Sequence, residues 1–261
     1  MVTPPVARIA TRIHCAEPLR EAARIDLGEG PAHYLRHVLR LPLGAEIALF
    51  NGQDGEFAGR IDGFAKARVT IVLGACRRAP GPEPDLWLCF APIKRTRLDA
   101  MVEKATELGV ARLMPVFTRH TVMERVNRER LAAIAAEAAG QCERLSVPVV
   151  DEPVAFEELL AHWPADRPLI TADESGGGTP IAEALAGLSG PLAVLTGPEG
   201  GFARSELDAL GRAVFVRRVG LGPRILRADT AAIAALAIVQ AVAGDGARAP
   251  RSVAQDEDAR D

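Results

Sequence analysis

The chain of 261 residues has only four cysteines, Cys15, Cys76, Cys89 and Cys142, and they lie far apart. None stands in a CxxC pair or at a disulfide-like spacing, which argues against a zinc site and an oxidised framework and predicts free, mostly buried thiols. No apolar run approaches the ~20 residues of a membrane span. The opening MVTPPVARIATRIHCAEP has no apolar core of the kind a secretion leader carries, so a cytosolic protein without a membrane partner is expected. Both GxGxxG and a Gly-Lys-Ser/Thr loop are absent, which counts against the common dinucleotide and nucleoside-triphosphate cradles. Lysine is scarce as well: Lys66, Lys94 and Lys104 stand against 28 arginines.

What remains describes a globular protein, 48% hydrophobic and 25% charged. Its net charge of -3 is unevenly spread. Residues 1–150 carry 21 Lys and Arg against 17 Asp and Glu, whereas residues 151–261 carry 10 against 17. An anionic partner is therefore expected on the first part, although an ordinary surface fluctuation gives the same count.

The pattern divides the chain. Residues 1–76 hold strand-length runs, EIALFNG, GEFAGRID and ARVTIVLG, broken by Asn-Gly, Asp-Gly and a charged turn. A helix is predicted to begin at Pro31 and to stop before Leu41-Pro42. In RRAPGPEPD, residues 77–85, three prolines and a glycine mark a linker. From 86 to 243, strand runs such as LWLCFA, ARLMPVFT, RPLITA and LAVLTG alternate with helical segments, predicting an α/β domain with a mainly parallel sheet. In its first helix Leu98, Met101, Val102, Ala105 and Leu108 form a core stripe closed by Gly109. The last helix, TAAIAALAIVQAVAG, carries no charge, which predicts burial nearly all round, in the core or across a homodimer interface. Residues 244–261 contain almost no large apolar residue and read as a disordered tail.

Two turns stand out. In AVLTGPEGGFARSEL a strand runs into a Gly-rich turn and then a helix, the context in which backbone N–H groups approach a ligand outside the carboxyl ends of a parallel sheet. Taken alone, it is also an ordinary turn. The second, VGLGPRILRADTAAIAAL, repeats the strand, Gly-Pro turn and helix, with Asp229 or Thr230 available as N-cap. Together they suit opposite sides of one pocket.

The pair LTGPEGGF…E and LGPRILRADTA resembles the bacterial 16S ribosomal RNA uridine N3-methyltransferases, of the SPOUT class of S-adenosylmethionine-dependent enzymes. IKRTRLDAMVEKATELGVARLMPVFTRHTV and HYLRHVLRLPLGAEIALFNG are similar to further blocks of that family in the same order, so the resemblance runs to about residue 243. It implies a small PUA-like β-barrel before the linker, a SPOUT methyltransferase domain with a deep trefoil knot after it, and a homodimer. It also implies that S-adenosylmethionine lies among three loops, against Thr171 and Ala172, against Thr196, Gly197, Glu199, Gly200 and Gly201, and against Leu221, Gly222, Ile225 and Leu226. Assembled 30S particles and a uridine near the decoding centre are the implied substrate. Three positions depart from the family. Ala203 replaces the usual Ser of a capping box with Glu206, a loss of about 1 kcal/mol at the helix start. Asp229 stands for the usual Glu, and Tyr34 replaces one His of a pair, leaving His33.

Methylation of an imide nitrogen needs a proton acceptor and stabilisation of the uridine anion. Arg227 is the candidate cation, for O2, O4 or a phosphate. Asp229 is the candidate base; holding Arg227, or plain helix capping, are its other readings. Glu199 contacts the donor or a neighbouring loop, or is simply solvated. For RNA, His33, Arg36, His37 and Arg40 fall on one helical face, with Leu35, Val38 and Leu39 opposite. Arg8, Lys94, Arg95 and Arg97 are further candidates for the RNA backbone. His33 and His37 have metal-like spacing but no third ligand, so no metal is expected. With 4% aromatic residues, base stacking falls to Tyr34 and Phe202. Competing functions remain: another rRNA or tRNA target, a non-catalytic ribosome-assembly factor, or a nucleotide-dependent metabolic enzyme.

Overall fold

A computed structural model describes residues 9–248; Arg8 and the tail from 249 lie outside the described residues. The first part contains β1 (Arg12–His14), β2 (Arg24–Leu27), α1 (Glu29–His33) running into a π-helical turn (Tyr34–Val38), β3 (Glu46–Asn51), β4 (Gly55–Phe64) and β5 (Val69–Arg78). These strands form one sheet in the order β1-β3-β4-β5-β2, antiparallel except for the parallel β1–β3 pair. Bulges along β4 and β5 curve it. Leu35, Ile47, Leu49, Ile61 and Ile71 fill its core.

After residues 79–85, which have no regular structure, come β6 (Leu86–Phe90), α2 (Arg95–Glu107), β7 (Arg112–Phe117), α3 (Arg128–Gln141), β8 (Val149–Val150), β9 (Val154–Ala155) and α4 (Phe156–Ala161). They are followed by β10 (Leu169–Ala172), β11 (Thr179–Pro180), α5 (Ile181–Ala184), β12 (Leu192–Thr196), α6 (Arg204–Arg212), β13 (Val216–Gly220) and α7 (Ala228–Ala243). The second sheet has the order β11-β13-β10-β12-β6-β7-β8, with β9 on β7, and every pairing is parallel. Alternation along its strands sorts side chains to two faces. Leu86, Leu88, Phe90, Leu192 and Val194 pack toward Met101, Leu131, Leu185 and Leu236 of α2, α3, the segment after α5 and α7. Cys89, Ala193 and Leu195 pack toward Phe156, Leu159 and Leu210 of α4 and α6. Strand β12 lies between β10 and β6, both earlier in the chain, and is buried at all five residues.

Several expectations change. The first helix begins at Glu29, not Pro31, and its second half is π-helical, with the Leu39 N–H bonded to the Tyr34 carbonyl. The wider turn carries Val38 to the surface, 58% exposed, whereas Leu35 stays fully buried. Arg40 adopts a left-handed backbone, φ 53°, so it lies past the helix end and out of register with His33, Arg36 and His37. Only Cys15 and Cys89 are buried; Cys76 and Cys142 are exposed. Helix α7 is not covered all round, because Ala232, Ala235, Leu236 and Val239 are buried but Ala237, Ala241 and Val242 are open. It starts at Ala228 with Arg227 as N-cap, so neither Asp229 nor Thr230 caps it. Residues 244–248 fold back on its end, Gly246 N–H bonding the Gln240 carbonyl at 2.9 Å.

Candidate functional site

Strands β13, β10 and β12 lie side by side, and their carboxyl ends open into segments 173–178, 197–203 and 221–227. These three segments enclose a cavity of about 570 Å³. Of the residues assigned to the methyl donor from sequence, Ala172, Thr196, Gly197, Glu199, Gly201, Leu221, Gly222, Ile225 and Leu226 line it. Thr171 sits one residue behind the wall, fully buried, with its hydroxyl lacking a hydrogen-bond partner. Gly200 is not among the lining residues, and a β-carbon there would lie 3.3 Å from the His120 β-carbon.

The Gly-rich turn is shaped from both sides. Gly201 has φ 70°, a backbone that favours glycine, and a β-carbon there would lie 2.0 Å from the carboxylate of the exposed Glu174 side chain, which would have to move. The ring of Phe202 packs under Gly197 and beside Phe156. Being buried, Phe202 is unavailable for stacking on a base, contrary to expectation, and Tyr34 packs against the first core.

Glu206 organises the start of α6. Its Oε2 accepts the Ala203 N–H at 2.7 Å, half of a capping box; Ala203 has no side-chain oxygen to complete the other half. Its Oε1 accepts the Arg119 N–H at 2.8 Å, joining α6 to the segment after β7. That segment also carries His120, whose Nδ1 lies 3.2 and 3.1 Å from the Gly200 and Gly201 carbonyl oxygens. A bond to either requires the proton on Nδ1.

At the cavity wall Asp173 is buried and bonded to the Arg218 guanidinium and to Ser175 N–H. Burial pushes its carboxyl up, but the bonds from Ser175 and Arg218 outweigh this and hold it below the usual carboxylate range. Arg227 and Arg97 line the cavity too. Lys94 and Arg95, the other basic residues near Arg97, are exposed and are not cavity-lining residues. Asp229 stands in the first turn of α7, and its Oδ1 is buried without a hydrogen-bond partner. His33, Arg36, His37 and Arg40 are exposed on the first unit; the His33 and His37 rings lie 5.1 Å apart and Arg36 stacks on Phe64. No metal-holding group of three or more His, Cys, Asp or Glu occurs among the described residues.

Sequence reasoning missed Asp173, Glu174, Arg224 and His120 at this site. The first two follow β10 immediately, the signal that places ligand contacts in such a sheet. Nothing local marks His120.

Comparison with known proteins agrees with this architecture. Residues 81–240 match the model of the RNA methyltransferase domain. Ribosomal RNA small subunit methyltransferase E of Rickettsia conorii is 33% identical over 232 residues, 88% of this chain and 94% of that one. The protein of the same name from Mycobacterium tuberculosis is 31% identical over 83% of this chain and 85% of its own. Among solved structures, ribosomal RNA small subunit methyltransferase E of Neisseria gonorrhoeae, bound to S-adenosyl methionine, superposes with a TM-score of 0.81 at 26% identity, over 90% of this chain and 99% of that one. A putative methyltransferase of Legionella pneumophila in complex with the same cofactor gives 0.81 at 26%, over 92% and 100%.

Proposed function

The chain belongs to the RNA methyltransferase family, among the proteins named ribosomal RNA small subunit methyltransferase E, and on that premise we propose that it methylates N3 of one uridine in 16S rRNA with S-adenosylmethionine. The carrying observation is the cavity closed by three loops at the carboxyl ends of adjacent parallel strands. Its volume falls in the ~300–1,000 Å³ range of small-molecule sites. The donor fits on chemical grounds as well: Glu174 and Glu199 line the cavity, and a sulfonium is cationic.

The donor supplies an activated methyl group that leaves a neutral thioether behind. The chain's own residues supply the rest. Loops 197–203 and 221–227 hold the reactants in line. Asp229, with one carboxylate oxygen unpartnered, accepts the N3 proton. Arg227, at the cavity wall two residues earlier, stabilises the charge that then spreads to O2 and O4 of uracil. In this reading residues 1–76 form a PUA-like barrel that holds RNA through His33, Arg36 and Arg40, with Lys94, Arg95 and Arg97 on the neighbouring unit; the bulged, curved first sheet supports it. Residues 86–243 form the knotted SPOUT domain, supported by β12 lying between two earlier strands. The open apolar face of α7 supports a homodimer, and assembled 30S particles are the proposed substrate.

Titration calorimetry with S-adenosylmethionine tests the site. The wild type is expected to bind, and Gly201→Val to lose at least tenfold in affinity, since a left-handed backbone costs a β-branched residue roughly 1–2 kcal/mol before Glu174 is displaced. Equal binding by both proteins places the donor elsewhere.

A further inference from the structure

The cavity is lined by six charged side chains, and no ion pair joins opposite charges across it. Asp173, Glu174 and Glu199 come from the segments after β10 and β12. Arg97 comes from the first turn of α2, and Arg224 and Arg227 from the segment after β13. Asp173 is neutralised from outside the cavity, by Arg218. Among the described residues the guanidinium groups of Arg97, Arg224 and Arg227 have no hydrogen-bond or ion-pair partner. Elsewhere arginines are commonly paired: Arg12, Arg77 and Arg78 share Glu56, Arg130 meets Asp99, and Arg167 meets Asp85. The opposite charges, carried by α2 and by the segments after β10, β12 and β13, line one recess without pairing. Each set is then available to a ligand of its own complementary charge.

Resting on the methyltransferase reading, we propose that Arg97 and Arg224 form a phosphate clamp that grips the RNA backbone on either side of the target nucleotide. Guanidinium groups suit this because they match phosphate geometry with two parallel N–H donors and stay charged at any working pH. The cationic donor takes the carboxylate side and the polyanionic RNA the arginine side, so the charge pattern orders the two reactants before chemistry. Arg227, beside Asp229, is left to the base. A base stacked inside a helix does not reach a recess bounded by three loops, so the nucleotide held by the clamp is one turned out of its stack.

The test uses the full chain and small ribosomal subunits from a strain lacking the gene, with affinity measured from low to moderate potassium chloride at constant magnesium. Arg97→Gln and Arg224→Gln are each expected to weaken subunit binding about tenfold and to lower the slope of log affinity against log salt by about one. Affinity for S-adenosylhomocysteine should stay within twofold. Arg212→Gln, in the last turn of α6 and outside the cavity, should leave the slope unchanged. An unchanged slope in the two cavity variants overturns the clamp, as does an equal fall in Arg212→Gln. Tenfold weaker S-adenosylhomocysteine binding with normal subunit binding also overturns it, and assigns these arginines to the donor's carboxylate. A wild type that binds subunits but not S-adenosylhomocysteine sinks the methyltransferase reading itself, a result separate from the slope.

Discussion

At the scale of single residues, two polar atoms next in sequence to cavity-lining residues are left unbonded. Asp229 Oδ1 and Thr171 Oγ1 are buried without partners, a condition that costs on the order of 1–3 kcal/mol for each group. Asp229 is not held as a helix cap, since the N-cap of α7 is Arg227, two residues earlier, and no side chain bonds that end. Asp229 is not itself a lining residue of the cavity, but it stands between Ala228 and Ala231, which are, and an unpaired carboxylate oxygen there suits a group that receives a proton. Asp229→Asn is therefore expected to lower kcat by about 10²- to 10³-fold while leaving the donor's Kd within twofold, as stopped-flow turnover and calorimetry would show. Asp229→Glu, one methylene longer, should keep much of the activity. If Asn preserves kcat, Asp229 is structural.

At the scale of elements, the Gly-rich turn proposed to hold the donor is not an independent loop. The segment after β7 grips it through His120 on the Gly200 and Gly201 carbonyls and through Arg119 N–H on Glu206. His120→Ala should weaken donor binding about tenfold, on the order of the ~1.4 kcal/mol that corresponds to this factor, because two carbonyls lose their donor. His120→Asn, whose amide N–H can occupy the Nδ1 position, should restore most of it; failure of Asn to do better than Ala would show that ring packing alone matters. Much of this level was legible in sequence. Strands β3 to β8, β10, β12 and β13 announced themselves as apolar runs bounded by turn residues, and the core stripe of α2 from Leu98 to Ala105 is buried as periodicity predicts. The π-helical turn was not legible, because an i to i+5 bond leaves no residue signature, and with it went the placement of Val38 and Arg40. The short strands β1, β9 and β11 have too few residues to carry a pattern. Two of the three cavity loops were visible as Gly-Pro turns, but their closeness to the segment after β10 depends on the order β13-β10-β12, which no local pattern contains. His120 was invisible for the same reason, lying 80 residues from the turn it touches.

At the scale of the whole molecule, a buried carboxylate on the first sheet holds the arginines that reach the segment after α3. Glu56 on β4 has no exposed surface and meets Arg12 at 3.1 Å, Arg77 at 3.2 Å and Arg78 at 2.7 Å. Arg12 also pairs with Glu143 just past α3, and Arg78 donates to the Glu143 carbonyl, so the cluster spans from the first sheet to the second unit. Removing the Glu56 carboxylate leaves three part-buried guanidinium groups with only Glu143, on Arg12 and Arg78, to offset them. Glu56→Gln should destabilise the chain by about 3 kcal/mol, the lower end for breaking a buried pair, read as a fall in the urea midpoint. A change below ~0.5 kcal/mol would show that the arginines simply turn to water.

We propose that this fold places one methyl group on N3 of a single uridine in 16S rRNA. Nucleoside-resolved mass mapping of 16S rRNA tests it most directly, comparing a strain lacking the gene with the same strain carrying the wild-type or Asp229→Asn gene. One N3-methyluridine absent from the deletion, restored by the wild type and not by Asp229→Asn, is the predicted result. An unchanged set of methylated nucleosides in the deletion, or the loss of a methyl group from a ribose or from a tRNA base instead, would contradict it.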